Sequence, residues 1–250
     1  MQVADTAQPF HAGTGRVGVL FCHGFTGSPW SLLEWARTTA DAGHRVALPR
    51  LPGHGTSWQE MNLTGWQDWY SMAEREFNEL RDQCDRVFVA GLSMGGALSL
   101  RLAEKYPDDV AGLILVNPAV LGYPNTFFVP LLQHFIGSVG AIGSDIASPG
   151  VTEHAYERTP LRAAASMMKL WAEVKACLDL VSCPLLMFRS VTDHVVPASS
   201  KEYILSHVSS DVIIDRVLPR SYHVATMDYE KDVIFTETLD FIEAHANVAG

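Results

Sequence analysis

Residues 86 to 106 read RVFVAGLSMGGALSLRLAEKY. The opening run, Arg86 to Ala90, is apolar, β-branched and of strand length. Gly96 to Tyr106 has helical spacing, and Pro107 stops it. Between them lies Gly91-Leu-Ser-Met-Gly95, a G-x-S-x-G pattern. The bare pattern is weak, because Gly and Ser are common enough to produce it by chance. Its flanks decide the matter. A strand entering and a helix leaving within five residues require a tight turn with Ser93 at its apex. A side chain at Gly91 or Gly95 would collide with the neighbouring turn, and Ser93 is forced into a strained conformation.

The same rhythm extends in both directions. Arg16 to Cys22, Arg45 to Leu48, Gly112 to Val116, Pro184 to Arg189 and Val212 to Leu218 are further short apolar runs. Trp66 to Cys84, Pro160 to Leu180 and Asp232 to Ala246 carry helical periodicity. Near-continuous apolar strands alternating with helices predict a mostly parallel α/β sheet with helices on both faces. One stretch breaks this rhythm. Asn117 to Thr159 is rich in Pro, Gly, Ser and aromatic residues, shows no clear strand, and is too long for an ordinary connection. It reads as an insertion, a small cap over the sheet edge. The chain then divides into a core of residues 1–116 and 160–250 and a cap of residues 117–159. A plain surface loop would leave Phe127, Phe128, Leu131, Leu132, Phe135 and Ile136 in water, so these predict an apolar inner face for the cap.

Composition narrows the function. The 250 residues are 48% hydrophobic and 18% charged, enough apolar material for a sizeable core and too much for general disorder. The formal net charge of −10 repels phosphate backbones, which argues against nucleic acid as a partner. No run of 18 apolar residues occurs, so no membrane-spanning helix is expected. Met1 to His11 carries no Lys or Arg and no apolar core, unlike a secretory signal. Four cysteines without a CxxC pair fit reduced thiols in a cytoplasmic protein better than a disulfide framework or a cysteine zinc site.

The candidate chemistry starts from Ser93. A serine hydroxyl near neutral pH needs a base, and the base needs an acid to orient it. On a strand–turn–helix serine the chain order is Ser, acid, His. Asp193 lies in the loop VTDHVVP after the strand PLLMFR, whereas Asp179 lies on a helix and Asp215 within a strand. His223 lies in PRSYHVA, after the last strand, while His207 and His245 fall at helix ends. His194 is adjacent to Asp193, and its side chain should diverge from it. Two backbone N–H groups are needed for an oxyanion: that of Met94, after the nucleophile, and that of Phe25, in the loop after the first apolar run. His23 and His54 read as residues that fix loops. Cys22 adjoins the Phe25 loop, where a bulky thiol reagent would interfere. This chemistry needs no metal or organic cofactor.

VGVLFCHGFTGSP, LPRLPGHGT, FVAGLSMGG, GSDI, HAYERTP, DHVVP and SYHVATMDYE together resemble the bacterial monoacylglycerol lipases, relatives of the small carboxylesterases of the α/β-hydrolase fold. The resemblance runs from about Pro9 to Ala246. It implies an ester hydrolase with Ser93, Asp193 and His223 as triad, Phe25 and Met94 as oxyanion donors, and a cap over the site. It matches Glu153 to a cap glutamate that binds the glycerol hydroxyls, and Ile142 to a cap isoleucine bordering the pocket. The implied substrate is a small acyl ester, a monoacylglycerol, and an apolar cap can also touch a lipid surface. The cap stretch LGYPNTFFVPLLQHFIG is more aromatic than the family pattern. A short- to medium-chain carboxylesterase would share the triad without depending on Glu153. A C–C bond hydrolase or haloperoxidase-like enzyme would share the fold, and a non-catalytic binding module would have lost a triad member.

Overall fold

A computed structural model describes residues 3–246, the side chain of Asn125 excepted. Its main sheet has seven strands: β1 (Phe10–Ala12), β2 (Val17–Cys22), β3 (Arg45–Leu48), β4 (Arg86–Leu92), β5 (Val110–Val116), β8 (Leu185–Ser190) and β9 (Ile213–Leu218). A separate antiparallel pair, β6 (Ser138–Gly140) and β7 (Arg158–Pro160), lies in the stretch between β5 and the following helix. The seven-strand order is β1-β3-β2-β4-β5-β8-β9, parallel throughout except for β1.

The order reverses between β2 and β4, because the chain leaves β2 toward β3 and returns to β4 on β2's other side. Beyond the carboxyl ends of strands at such a reversal a crevice opens. Cys22 pairs with Gly91 there, so the loops carrying Phe25 and Ser93 emerge side by side. Ser190 likewise pairs with Leu218, which sends the loops of Asp193 and His223 out together.

Eight α-helices are present among the described residues, and five cover the sheet's faces. Helices α3 (Trp66–Arg81), α4 (Met94–Lys105) and α6 (Leu161–Cys177) close one core, in which Trp69, Phe77, Leu98 and Leu170 are fully buried. Helices α1 (Leu33–Asp41) and α8 (Lys231–Ala246) close the other, around Phe21, Trp35, Phe88 and Phe188. The remaining helices are α2 (Trp58–Met61), α5 (Val129–Leu132) and α7 (Ala198–Leu205).

Three expectations are corrected. The stretch 117–159 does hold strand: Val139 pairs with Thr159, and Arg158 donates from Nε to Ser138 Oγ at 2.7 Å to tie the ends. β9 is an edge strand with most of its residues exposed, rather than a buried one, and Lys201 engages its Asp215 at 2.6 Å. The aromatic run also points outward. Phe127 and Phe135 are 78% and 79% exposed, and Phe128, Leu131 and Ile136 are exposed as well. Their short helical turns lay Thr126 and Val129 against the interior, leaving the aromatics no inner surface to cover.

Candidate active site

Ser93 sits between β4 and α4 with φ 57° and ψ −119°, a conformation that non-glycine residues rarely occupy. The turn is over-determined. The Ser93 N–H donates to Val116 O at 3.0 Å, and Ser93 O accepts from Gly96 and Ala119 at 2.9 and 3.1 Å. A Cβ on Gly95 would collide with Cys22 O, and one on Gly91 with Gly95 O, so both glycines are sterically required. Ser93 itself is buried, at the floor of a pocket that His223 also lines.

The predicted acid and base meet. His223 Nδ1–H donates to Asp193 Oδ2 at 2.9 Å, and both side chains are buried. Donation through Nδ1 leaves Nε2 as the free acceptor. Asp193 Oδ1 accepts the N–H groups of Val195 and Val196 at 2.9 and 2.7 Å. Burial pushes the Asp193 carboxyl up, but His223 and these two amides outweigh it and hold it below its ordinary range. Among the described residues no hydrogen bond joins the Ser93 hydroxyl to His223, though both line the same pocket.

Phe25 and Met94, the expected oxyanion donors, lie on the two loops that leave the paired ends of β2 and β4. Met94 opens α4, whose first N–H groups have no intrahelical acceptor. Phe25 follows Gly24, whose missing Cβ would stand 3.5 Å from Ser93 Cβ. Neither N–H has an acceptor among the described residues. The Phe25 loop is fixed by His23, which donates through Nδ1 to Gly24 O at 3.0 Å and accepts Leu51 N–H through Nε2 at 3.1 Å. Burial pushes His23 down to about 4, so it stays neutral and keeps both bonds. His54 is a loop residue too, donating to Pro52 O at 3.0 Å. Cys22 is fully buried and its thiol is pushed up to about 12 by that burial, so thiol reagents have no route to it, contrary to the sequence expectation.

Glu153 is buried and lines the same pocket, and its main-chain N–H donates to Ser144 Oγ at 2.9 Å. Burial raises its carboxyl to about 7, with His223 acting the other way. Ile142 lines the pocket as well but is 65% exposed, which puts it at the mouth. Tyr156, within HAYERTP, anchors this wall: its hydroxyl donates to Gly53 O at 2.8 Å and accepts Thr56 N–H at 2.8 Å. Leu121, Val129, Met167, Trp171 and Val195 line the same pocket with an apolar surface suited to a hydrocarbon chain.

Sequence reasoning missed three residues that hold this arrangement. Asn117, buried at φ 45°, donates to His223 O at 2.8 Å and to Ser190 Oγ at 2.9 Å, and accepts Ser190 N–H at 2.9 Å. Arg189 donates from Nη1 to Asp193 Oδ2 at 3.1 Å and from Nη2 to Val196 O at 3.0 Å. Asp228 accepts Tyr222 N–H at 2.8 Å. An arginine inside an otherwise apolar strand was the signal that could have found the second. The other two have no sequence signal beyond being polar residues near loop ends. His194 turns away from the triad, as expected, to Asp145 Oδ1 at 2.7 Å.

The sheet order, the strained serine and the Asp–His pair define an α/β hydrolase. The chain belongs to the alpha/beta hydrolase family, whose model matches residues 19–234. It is 41% identical to the thermostable monoacylglycerol lipase of Bacillus sp. (strain H-257), over 98% of this chain and 97% of that protein. It is 25% identical to a carboxylesterase of Bacillus subtilis (strain 168), over 95% and 97%. A solved structure reported with LipS and LipT, two metagenome-derived lipolytic enzymes, superposes with a TM-score of 0.95 at 38% identity, covering 98% of this chain and 100% of that one.

Proposed function

We propose that this protein is a serine ester hydrolase that cleaves monoacylglycerols to glycerol and fatty acid. The observation that carries the reading is one pocket lined by Ser93 on its strained turn, by His223 bonded to Asp193, and by the buried carboxyl of Glu153. His223 Nε2 takes the Ser93 proton as Oγ attacks the ester carbonyl. The N–H groups of Phe25 and Met94 receive the oxyanion, and each such donor is worth roughly 3–4 kcal/mol. Collapse expels glycerol, protonated by His223, and leaves Ser93 acylated. Water, activated by His223, then releases the fatty acid. Glu153 accepts hydrogen bonds from the glycerol hydroxyls, and Ile142 borders the entrance.

In this reading residues 117–159 act as a cap on a core of 1–116 and 160–250. The outward aromatics of the cap rest transiently on a lipid surface from which substrate enters. Among the described residues no helix is long and apolar enough to cross a membrane, so such contact is peripheral. The free cysteines fit a cytoplasmic location. The similarity to the B. subtilis carboxylesterase favours a second reading, a carboxylesterase indifferent to glycerol.

One assay set separates them: turnover of mono-, di- and triacylglycerols against a nitrophenyl ester, in wild type, Ser93→Ala and Glu153→Gln. Ser93→Ala should abolish all of it. Glu153→Gln should lower monoacylglycerol kcat/KM by roughly 10- to 150-fold and change the nitrophenyl ester much less. Equal effects on both substrates would support the carboxylesterase reading.

A further inference from the structure

The GSDI motif has no part in the chemistry above, yet its Asp145 touches both loops that carry the triad. The His223 loop has no regular structure, so its backbone N–H groups must find partners elsewhere. Those of Arg220 and Ser221 go to Glu230, at 3.2 and 2.8 Å, and that of Tyr222 goes to Asp228. Both acceptor residues follow His223 in the chain. The next two N–H groups cross to the segment between β5 and α6. His223 N–H donates to Asp145 Oδ2 at 3.2 Å, and Val224 N–H to Asp145 O at 3.0 Å. The same Oδ2 accepts the N–H of His194 at 3.1 Å, the residue after Asp193. Oδ1 accepts from the His194 ring at 2.7 Å, and that ring stands edge-on to Tyr222 with centroids 5.0 Å apart. Asp145 is buried and borders the pocket. Asp228 closes the clasp from the other side, accepting Ala147 N–H at 2.7 Å and Ser148 N–H at 3.0 Å.

We infer that Asp145 is a positioning residue for the triad: one carboxylate oxygen ties the backbone of the base to the backbone beside its acid, and so sets where His223 stands relative to Ser93. This rests on the serine-hydrolase reading and deepens it. The geometry assigns the segment 145–148 to the catalytic scaffold, so the base is held partly by the same segment that brings Glu153 to the pocket.

Proton transfer is sensitive to placement, and an error of about 1 Å costs about 100-fold. For Asp145→Ala, kcat on a nitrophenyl ester should fall about 100-fold with KM within about twofold of wild type. The rate of Ser93 labelling by an organophosphorus probe should fall in parallel. Asp145→Asn keeps one oxygen for the backbone amides and should recover about tenfold of that loss. Both variants are checked for wild-type near-UV circular dichroism at the assay temperature. If the alanine variant does not fold, the asparagine variant carries the test, with a kcat loss of about tenfold expected. A kcat within about threefold of wild type in a folded variant, or a loss equal to its unfolded fraction, would overturn the inference while leaving the hydrolase reading intact. Turnover that survives Ser93→Ala would overturn both.

Discussion

Gly27 and Glu153 are in direct contact: a Cβ at position 27 would stand 2.6 Å from Glu153 Oε1. Gly27 has no positive φ, so its lack of a side chain serves this approach rather than a special backbone shape. The atom in the way is the end of a flexible side chain. Gly27→Ala should therefore fold normally and push the carboxyl aside. It should reproduce the selective loss of Glu153→Gln, about tenfold or more in monoacylglycerol kcat/KM, with little change on a nitrophenyl ester. Equal turnover of monoacylglycerol by wild type and variant would detach Glu153 from substrate binding.

The raised Glu153 carboxyl has a stability signature. Its folded value of about 7 exceeds its ordinary 4.5, so the folded state binds more protons across that window. The linkage sign follows: stability falls as pH rises from about 4.5 to about 7, on the order of 3 kcal/mol in all. Denaturant unfolding at pH 5 and pH 8 should show this contribution in wild type and not in Glu153→Gln. Monoacylglycerol preference over the nitrophenyl ester should rise across pH 7, as the better-accepting carboxylate forms. A variant with the wild-type pH dependence would refute both parts.

His23 acts in the opposite direction. Its folded value of about 4 lies below the ordinary 6.5, so the unfolded state binds the extra proton. Stability is present above about 6.5 and lost as pH falls toward 4, again on the order of 3 kcal/mol. Between pH 4.5 and 6.5 the Glu153 and His23 contributions offset one another. Glu153→Gln should therefore lose stability in acid more steeply than wild type, and His23→Gln less steeply, when unfolding is followed in stepped pH buffers. Parallel profiles for all three proteins would disprove the assignment.

What the sequence made legible was local or ordered along the chain. Gly91 to Gly95 declared its own turn, because two glycines and a serine between a strand and a helix permit little else. Asp193 and His223 followed from their positions after late strands. Strand β1 was missed, since Phe10–Ala12 is too short for a periodicity and exists only by pairing with β3. Asn117 and Asp145 were missed because their partners lie 49 to 106 residues away, and Arg189 because it stands within an otherwise apolar strand, although Asp193 and Val196 are only 4 and 7 residues on. The aromatic run was misjudged for a different reason. Apolar composition records a preference for leaving water, and it cannot distinguish an inner face from a face turned to another apolar phase.

That outer face supplies the last prediction. Phe127 and Phe135 are almost fully exposed, with Phe128 and Leu131 beside them in sequence, on the stretch whose Thr126 and Val129 line the pocket. A cluster of this kind in water is unfavourable unless something apolar covers it. Each phenylalanine gains roughly 1.5–3 kcal/mol when fully buried, and part of that when laid on a lipid surface. The double change Phe127→Ser and Phe135→Ser removes two side chains that do not line the pocket. Binding to zwitterionic vesicles in co-sedimentation should weaken by about 10- to 100-fold. Vesicles without anionic lipid avoid repulsion by the net charge of −10. Turnover of monoacylglycerol presented in vesicles should fall with the binding, while a water-soluble nitrophenyl ester is hydrolysed at the wild-type rate. Unchanged vesicle binding would remove the lipid surface as the partner of this face, and an equal fall on the soluble ester would mean that the substitutions act through the pocket instead.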